Sequence, residues 1–136
     1  MPIVDSSVAL KWVIDEPGKD IAVHLLTTSP VAAPDFLLLE VRAALWNRVR
    51  RGLSTIETAR FAENEFGRAS ILLLATGELV RPAFELALEL NHPIYDCVYL
   101  AAATSLDQIL VTADNRFIAA TRNSSHADRV VRLADF

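Results

Sequence analysis

The chain has 136 residues, enough for one compact domain over residues 1–136 and too few for a second with its own core. Apolar residues make up 52% and charged residues 22%, which excludes intrinsic disorder. Seventeen acids against thirteen bases leave a net charge of −4, a balance that argues against coating nucleic acid through overall charge.

Pro2-Ile3-Val4 reads as a short strand that runs through Asp5-Ser6-Ser7 into a helix over Val8–Ile14, stopped by Glu16-Pro17-Gly18. Ile21–Leu26 reads as a second helix and Val31–Pro34 as a short strand closed by proline. Asp35 is expected to cap a long helix from Phe36 to about Arg51, ended by Gly52. Ser54 with Glu57 has the capping-box spacing for a helix through about Phe66. Ile71–Leu74 reads as a buried strand. Helices follow at about Glu78–Leu90 and, after Asn91-His92-Pro93, at about Ile94–Leu106. A strand over Ile109–Thr112, a short helix after Asp114 and a terminal strand near Val130–Leu133 complete the pattern. Strands separated by helices imply parallel pairing through crossovers, hence a helix-covered parallel α/β sheet.

Several chemistries lack material. The four glycines, Gly18, Gly52, Gly67 and Gly77, form neither a phosphate-cradling loop nor a dinucleotide fingerprint. No serine sits in a nucleophile elbow, and His24, His92 and His126 are scattered and read as structural or solvent-exposed. The lone cysteine, Cys97, excludes an internal disulfide and a zinc site of nitrogen and sulfur ligands, and reads as a buried, inert thiol. Apolar runs such as Cys97–Ala103 are far shorter than the roughly 20 residues that span a bilayer. With Asp5 interrupting any signal-like start, the chain is expected to be cytoplasmic and free of membranes.

The informative residues are Asp5, Glu40, Asp96 and Asp114. Asp5 and Asp114 follow strands directly, Glu40 lies early in the helix after the second strand, and Asp96 falls in the first turn of the helix after Pro93. Ligands bind open α/β sheets at the carboxyl ends of strands, most often where strand order reverses. With strand order 3-2-1-4-5, the strands ending at Asp5 and Asp114 flank that reversal. Each acid also has a local reading: Asp5 and Asp114 as helix caps, Asp96 as a complement to a helix dipole. Glu40 has Phe36, Leu37, Ala43 and Ala44 as helical neighbours, and an ionised carboxylate among them needs a partner. Gathered carboxylates repel by roughly 4 kcal/mol per pair at 4 Å and an effective dielectric near 20. Protons or a divalent cation must offset that, and an all-oxygen set selects Mg²⁺ or Mn²⁺. Such an ion can acidify water, hold a phosphodiester and stabilise a leaving oxygen, which favours phosphodiester hydrolysis.

On these residues the chain resembles the PIN-domain family from end to end, and within it the VapC-type toxins of toxin–antitoxin pairs. Ile3-Val4-Asp5-Ser6-Ser7 is similar to the opening strand with its first acid, and Pro34-Asp35-Phe36-Leu37-Leu38-Leu39-Glu40-Val41 to the segment bearing the second. Pro93-Ile94-Tyr95-Asp96-Cys97-Val98-Tyr99 resembles the third motif, and Leu110-Val111-Thr112-Ala113-Asp114-Asn115 the fourth. Relatives often carry asparagine three residues after the second acid, where this chain has Ala43. The resemblance implies a PIN-like fold, an Mg²⁺- or Mn²⁺-dependent endoribonuclease, a homodimer and a VapB-type antitoxin. Carried over by position, Asp5, Glu40, Asp96 and Asp114 form the metal pocket, with Ser7 and Thr112 as supporting hydroxyls.

Arg48, Arg51 and Arg116 are the candidates for holding RNA phosphates. Trp12, Trp46, Tyr95 and Tyr99 are expected in core or dimer packing rather than on bases. The apolar helices Phe36–Trp46 and Glu78–Leu90 are candidate dimer surfaces. Two other readings stand beside the nuclease. A phosphoacceptor receiver domain needs a late lysine, and the only lysines are Lys11 and Lys19. A catalytically idle RNA-binding or protein-binding module of the same fold gives the acids a purely structural role.

Overall fold

The computed structural model describes residues 1–136. Its frame is one all-parallel sheet of β1 (Ile3–Val4), β2 (Val31–Pro34), β3 (Ile71–Leu74), β4 (Leu110–Thr112) and β5 (Val130–Arg132), in the order β3-β2-β1-β4-β5. This is the expected helix-covered α/β sheet, with the strand order reversing between β1 and β4. The helices are α1 (Ser6–Lys11), α2 (Lys19–Thr28), α3 (Leu37–Arg50), α4 (Ile56–Gly67), α5 (Val80–Leu90), α6 (Ile94–Ser105) and α7 (Asn115–Thr121).

β1 is short and central: Ile3 and Val4 are fully buried, and the strand pairs with both β2 and β4. Helix α6 lies against β1, β2 and β4, and every residue from Cys97 to Ala103 is buried. Its alanines let the helix approach the sheet closely, and a helix apolar all round belongs inside. Helix α5 packs on α6 and shields it from the other side. No helix is long and apolar enough to cross a membrane.

Three local readings of the sequence are corrected. Asp35 does not cap α3, whose N-cap is Phe36 with no side-chain bond. The Asp35 carboxylate instead accepts from the Thr76 N–H at 3.1 Å and the Thr76 hydroxyl at 2.6 Å, tying the end of β2 to the turn after β3. At α4 the cap is Thr55, accepting from the Thr58 N–H at 3.1 Å, while the Ser54 hydroxyl donates to the Thr55 carbonyl. β3 is not buried. It is an edge strand with Leu72 and Leu73 exposed, and its four-residue apolar run could not distinguish an edge from a centre.

Candidate metal centre

The β1–β4 register sets the site. Val4 pairs with Val111, so the next residues along, Asp5 and Thr112, meet at the carboxyl edge of the sheet. Asp5 is 5% exposed. Its Oδ1 accepts from the Ser7 hydroxyl at 2.5 Å and from the Val8 N–H at 3.3 Å, and its Oδ2 accepts from the Thr112 hydroxyl. Ser7 Oγ in turn accepts from the Ala113 N–H at 2.9 Å, and Thr112 Oγ1 from the Asp114 N–H at 3.0 Å. All these donors are neutral. Burial therefore dominates and pushes the Asp5 carboxyl up to about 6, against the pull of Ser7, Thr112 and Val8, with the charge of Asp96 adding a smaller upward push.

Glu40 projects from the first turn of α3 and is half-buried. Its partner is the hydroxyl of Tyr99 on α6, which donates to Oε1. Burial raises its carboxyl, the Tyr99 bond opposes that, and Asp96 raises it further. Arg42, two residues on, does not neutralise Glu40; its guanidinium lies 2.8 Å from Glu63 on α4. Asp96, in the first turn of α6, is half-buried, with His92 Nε2 at 2.6 Å from its Oδ2. Its carboxyl is raised by burial, held back by His92, and raised again by Asp114. Asp114 caps α7, with Oδ1 accepting from the Arg116 N–H at 2.9 Å and the Phe117 N–H at 3.4 Å.

Asp96 is thus the common neighbour, felt by Asp5 and Glu40 and itself feeling Asp114. None of the four acids pairs with a lysine or arginine. No three Asp, Glu, His or Cys side chains close into a ready cage for an ion. Mg²⁺ does not demand one, because it keeps several waters and is usually held through one or two carboxylates and substrate phosphates. An all-oxygen set of buried and half-buried acids with no lysine or arginine partner fits Mg²⁺ or Mn²⁺.

Residues 3–123 match the PIN domain family. The chain belongs to that family. Among solved structures it is similar to the protein PAE2754 of Pyrobaculum aerophilum, at 20% identity and a TM-score of 0.61, covering 97% of this chain and 88% of that one. It is also similar to VapC20 of Mycobacterium tuberculosis, a toxin that cleaves the sarcin–ricin loop, at 19% identity and a TM-score of 0.66, covering 88% and 95%. A toxin–antitoxin complex from Klebsiella pneumoniae matches over 100% of both chains at 14% identity and a TM-score of 0.63. At these identities the likeness is one of fold. Curated protein sequences give no significant match.

In this PIN domain the arginines are dispersed. Arg116 is exposed in the first turn of α7, two residues from Asp114. Arg48 and Arg51 lie at the far end of α3, about 12 and 16 Å along the helix from Glu40 by its rise of 1.5 Å per residue. Of the aromatics, Trp12 and Tyr99 are buried, as expected for core residues. Trp46 and Tyr95 are 62% and 59% exposed, so neither belongs to this protomer's core. Two residues beside the acids escape sequence reasoning, the phenol of Tyr99 and the imidazole of His92. The available signal was spacing: His92 stands four residues before Asp96, a separation that brings side chains together at a helix start.

Proposed function

We propose that this PIN domain is a metal-dependent endoribonuclease of the VapC toxin type, hydrolysing RNA phosphodiester bonds with Mg²⁺ or Mn²⁺. One observation carries the reading: Asp5, Glu40 and Asp96 are buried or half-buried acids that share the carboxyl edge of the sheet without a lysine or arginine to neutralise them. Bound there, the divalent ion supplies a Lewis acid that lowers the pKa of water and offsets charge at the phosphorus. Asp5 and Asp96 are its principal ligands, and Glu40 and Asp114 complete the set. Ser7 and Thr112 hold the Asp5 carboxylate in one orientation, and Tyr99 does the same for Glu40. Arg116 stands where it can hold a flanking phosphate, while Arg48 and Arg51 extend that role along α3.

The same reading supplies partners. A VapB-type antitoxin is supported by the apolar groove between α3 and α4, lined by Leu45, Trp46, Val49 and Ile56 with Arg42 and Arg60 at its margins. A homodimer is supported by Val80, Phe84 and Leu88, an exposed stripe at four-residue spacing along α5. The protein works in the cytoplasm, where its RNA substrate is.

The experiment is cleavage of total RNA by pure protein with Mg²⁺, against Asp96→Asn and Asp5→Asn. Both variants are expected to fold and to lose cleavage, and cleavage unchanged in either defeats the assignment. The idle-module reading draws on the absence of a closed ligand cage. Calorimetric titration with Mn²⁺ separates the two, because an idle module shows no heat that Asp5→Asn removes.

A further inference from the structure

We infer that His92 is a positioning residue of this site, fixing the orientation of the Asp96 carboxylate and linking it through Phe117 to the helix that Asp114 caps. The inference rests on the metal-centre reading above and adds a component to it.

The chain places His92 by three devices. Asn91 ends α5 in the left-handed region, with φ 49° and ψ 51°, which swings the chain back sharply. The His92 N–H then donates to the Ala87 carbonyl at 3.2 Å, and Pro93 opens α6 directly after it. The side chain is only 11% exposed. Its ring meets the fully buried Phe117 at a centroid distance of 5.0 Å and a 55° tilt. Held between that ring and α6, its Nε2 lies 2.6 Å from Asp96 Oδ2.

An ionised carboxylate can only accept, so Nε2 carries the shared proton in this contact. Occupying Oδ2 leaves Oδ1 as the oxygen free for a cation and prevents rotation of the carboxyl group. Phe117 extends the arrangement, since its own N–H is one of the two that Asp114 Oδ1 accepts. The acid on α6 and the acid that caps α7 are therefore referenced to one aromatic contact. Groups that orient metal-binding carboxylates typically change metal affinity 10–100-fold when removed.

The test uses the full chain with Mn²⁺ itself as probe. Calorimetric titration compares the unaltered protein with His92→Phe, which keeps a ring against Phe117 but has no donor, and His92→Gln, which retains a side-chain N–H. His92→Phe is expected to bind Mn²⁺ roughly 10–100-fold more weakly and His92→Gln to recover most of the loss. In RNA cleavage kcat falls in His92→Phe while KM for RNA holds. Equal Mn²⁺ affinity in His92→Phe and the unaltered protein, or equal losses in the two variants, overturns the inference and leaves the metal centre standing. No Mn²⁺ binding by the unaltered protein overturns both. One measurement needs no variant: substoichiometric Mn²⁺ should broaden the His92 ring proton signals before those of the exposed His24. A His92 signal that broadens no sooner than His24 sinks the inference even if both variants fail to fold.

Discussion

Thr112, the last residue of β4, donates its hydroxyl to Oδ2 of Asp5, the residue that follows β1, across 107 positions of sequence. The Thr112 Oγ1 itself accepts the Asp114 N–H at 3.0 Å. One buried hydroxyl therefore sets both the carboxylate of the first acid and the backbone of the fourth, and its place is dictated by the pairing of Val4 with Val111.

Thr112→Val keeps the shape of this residue and removes the hydroxyl. It leaves Asp5 Oδ2 and the Asp114 N–H without these partners, which should destabilise the fold by about 1–3 kcal/mol. Urea unfolding at neutral pH measures this, and Thr112→Ser should recover most of the loss. Wild-type stability in the valine variant would show that the bond is energetically idle.

Asp5 gives stability a defined dependence on pH. Its carboxyl titrates at about 6 in the fold against an ordinary 3.8, so between those values the folded state holds a proton that the unfolded state has released. Stability of the metal-free protein then falls as pH rises from about 4 to 6, by up to about 3 kcal/mol, and this contribution stays level above that window. Glu40 and Asp96, both raised by burial, push in the same direction. Asp5→Asn should remove most of the slope and raise the metal-free melting temperature at pH 8; an unchanged slope would contradict the burial argument.

Divalent metal should reverse that penalty. A cation that binds the folded state alone stabilises it by about 2.7 kcal/mol at a hundred times its Kd. Thermal melts with increasing Mn²⁺ should shift upward at pH 7.5, return on adding EDTA, and show no shift in Asp96→Asn. A shift of equal size in that variant would place the ion elsewhere on the molecule.

Tyr99→Phe isolates the phenol from its ring. The bond from Tyr99 holds the Glu40 carboxyl down, so its loss lets that group titrate at higher pH. The acidic limb of the cleavage profile should move upward, and the melting temperature should fall modestly, since the buried ring is retained but Glu40 loses its hydroxyl partner. An unmoved limb would mean that Glu40 ionisation does not limit the reaction.

The α5 stripe can be tested by charge. Phe84→Glu places a carboxylate at the middle of Val80, Phe84 and Leu88 and should convert a dimer to monomer in light scattering at micromolar concentration. A monomeric wild-type protein, or a variant that remains dimeric, would remove this face from the interface.

The alternation of apolar runs with capping and breaking residues was enough to read the strand and helix sequence, because secondary structure depends on neighbours a few positions apart. Asp5, Glu40, Asp96 and Asp114 stood out for the same local reason, as acids at strand ends and in first helical turns. Where the partner lay elsewhere, local reading failed. Asp35 looks like a cap until Thr76, 41 residues away, takes its carboxylate. β3 looks buried until the strand order puts it at an edge, and His92 looks incidental until α6 and Phe117 close around it. Residue type and short-range spacing thus determined which elements form and which side chains are candidates. Only the parallel register and helix packing decided which of those groups share an edge, lose water and reach a partner, because burial and hydrogen bonding between distant segments exist only once the chain has closed on itself.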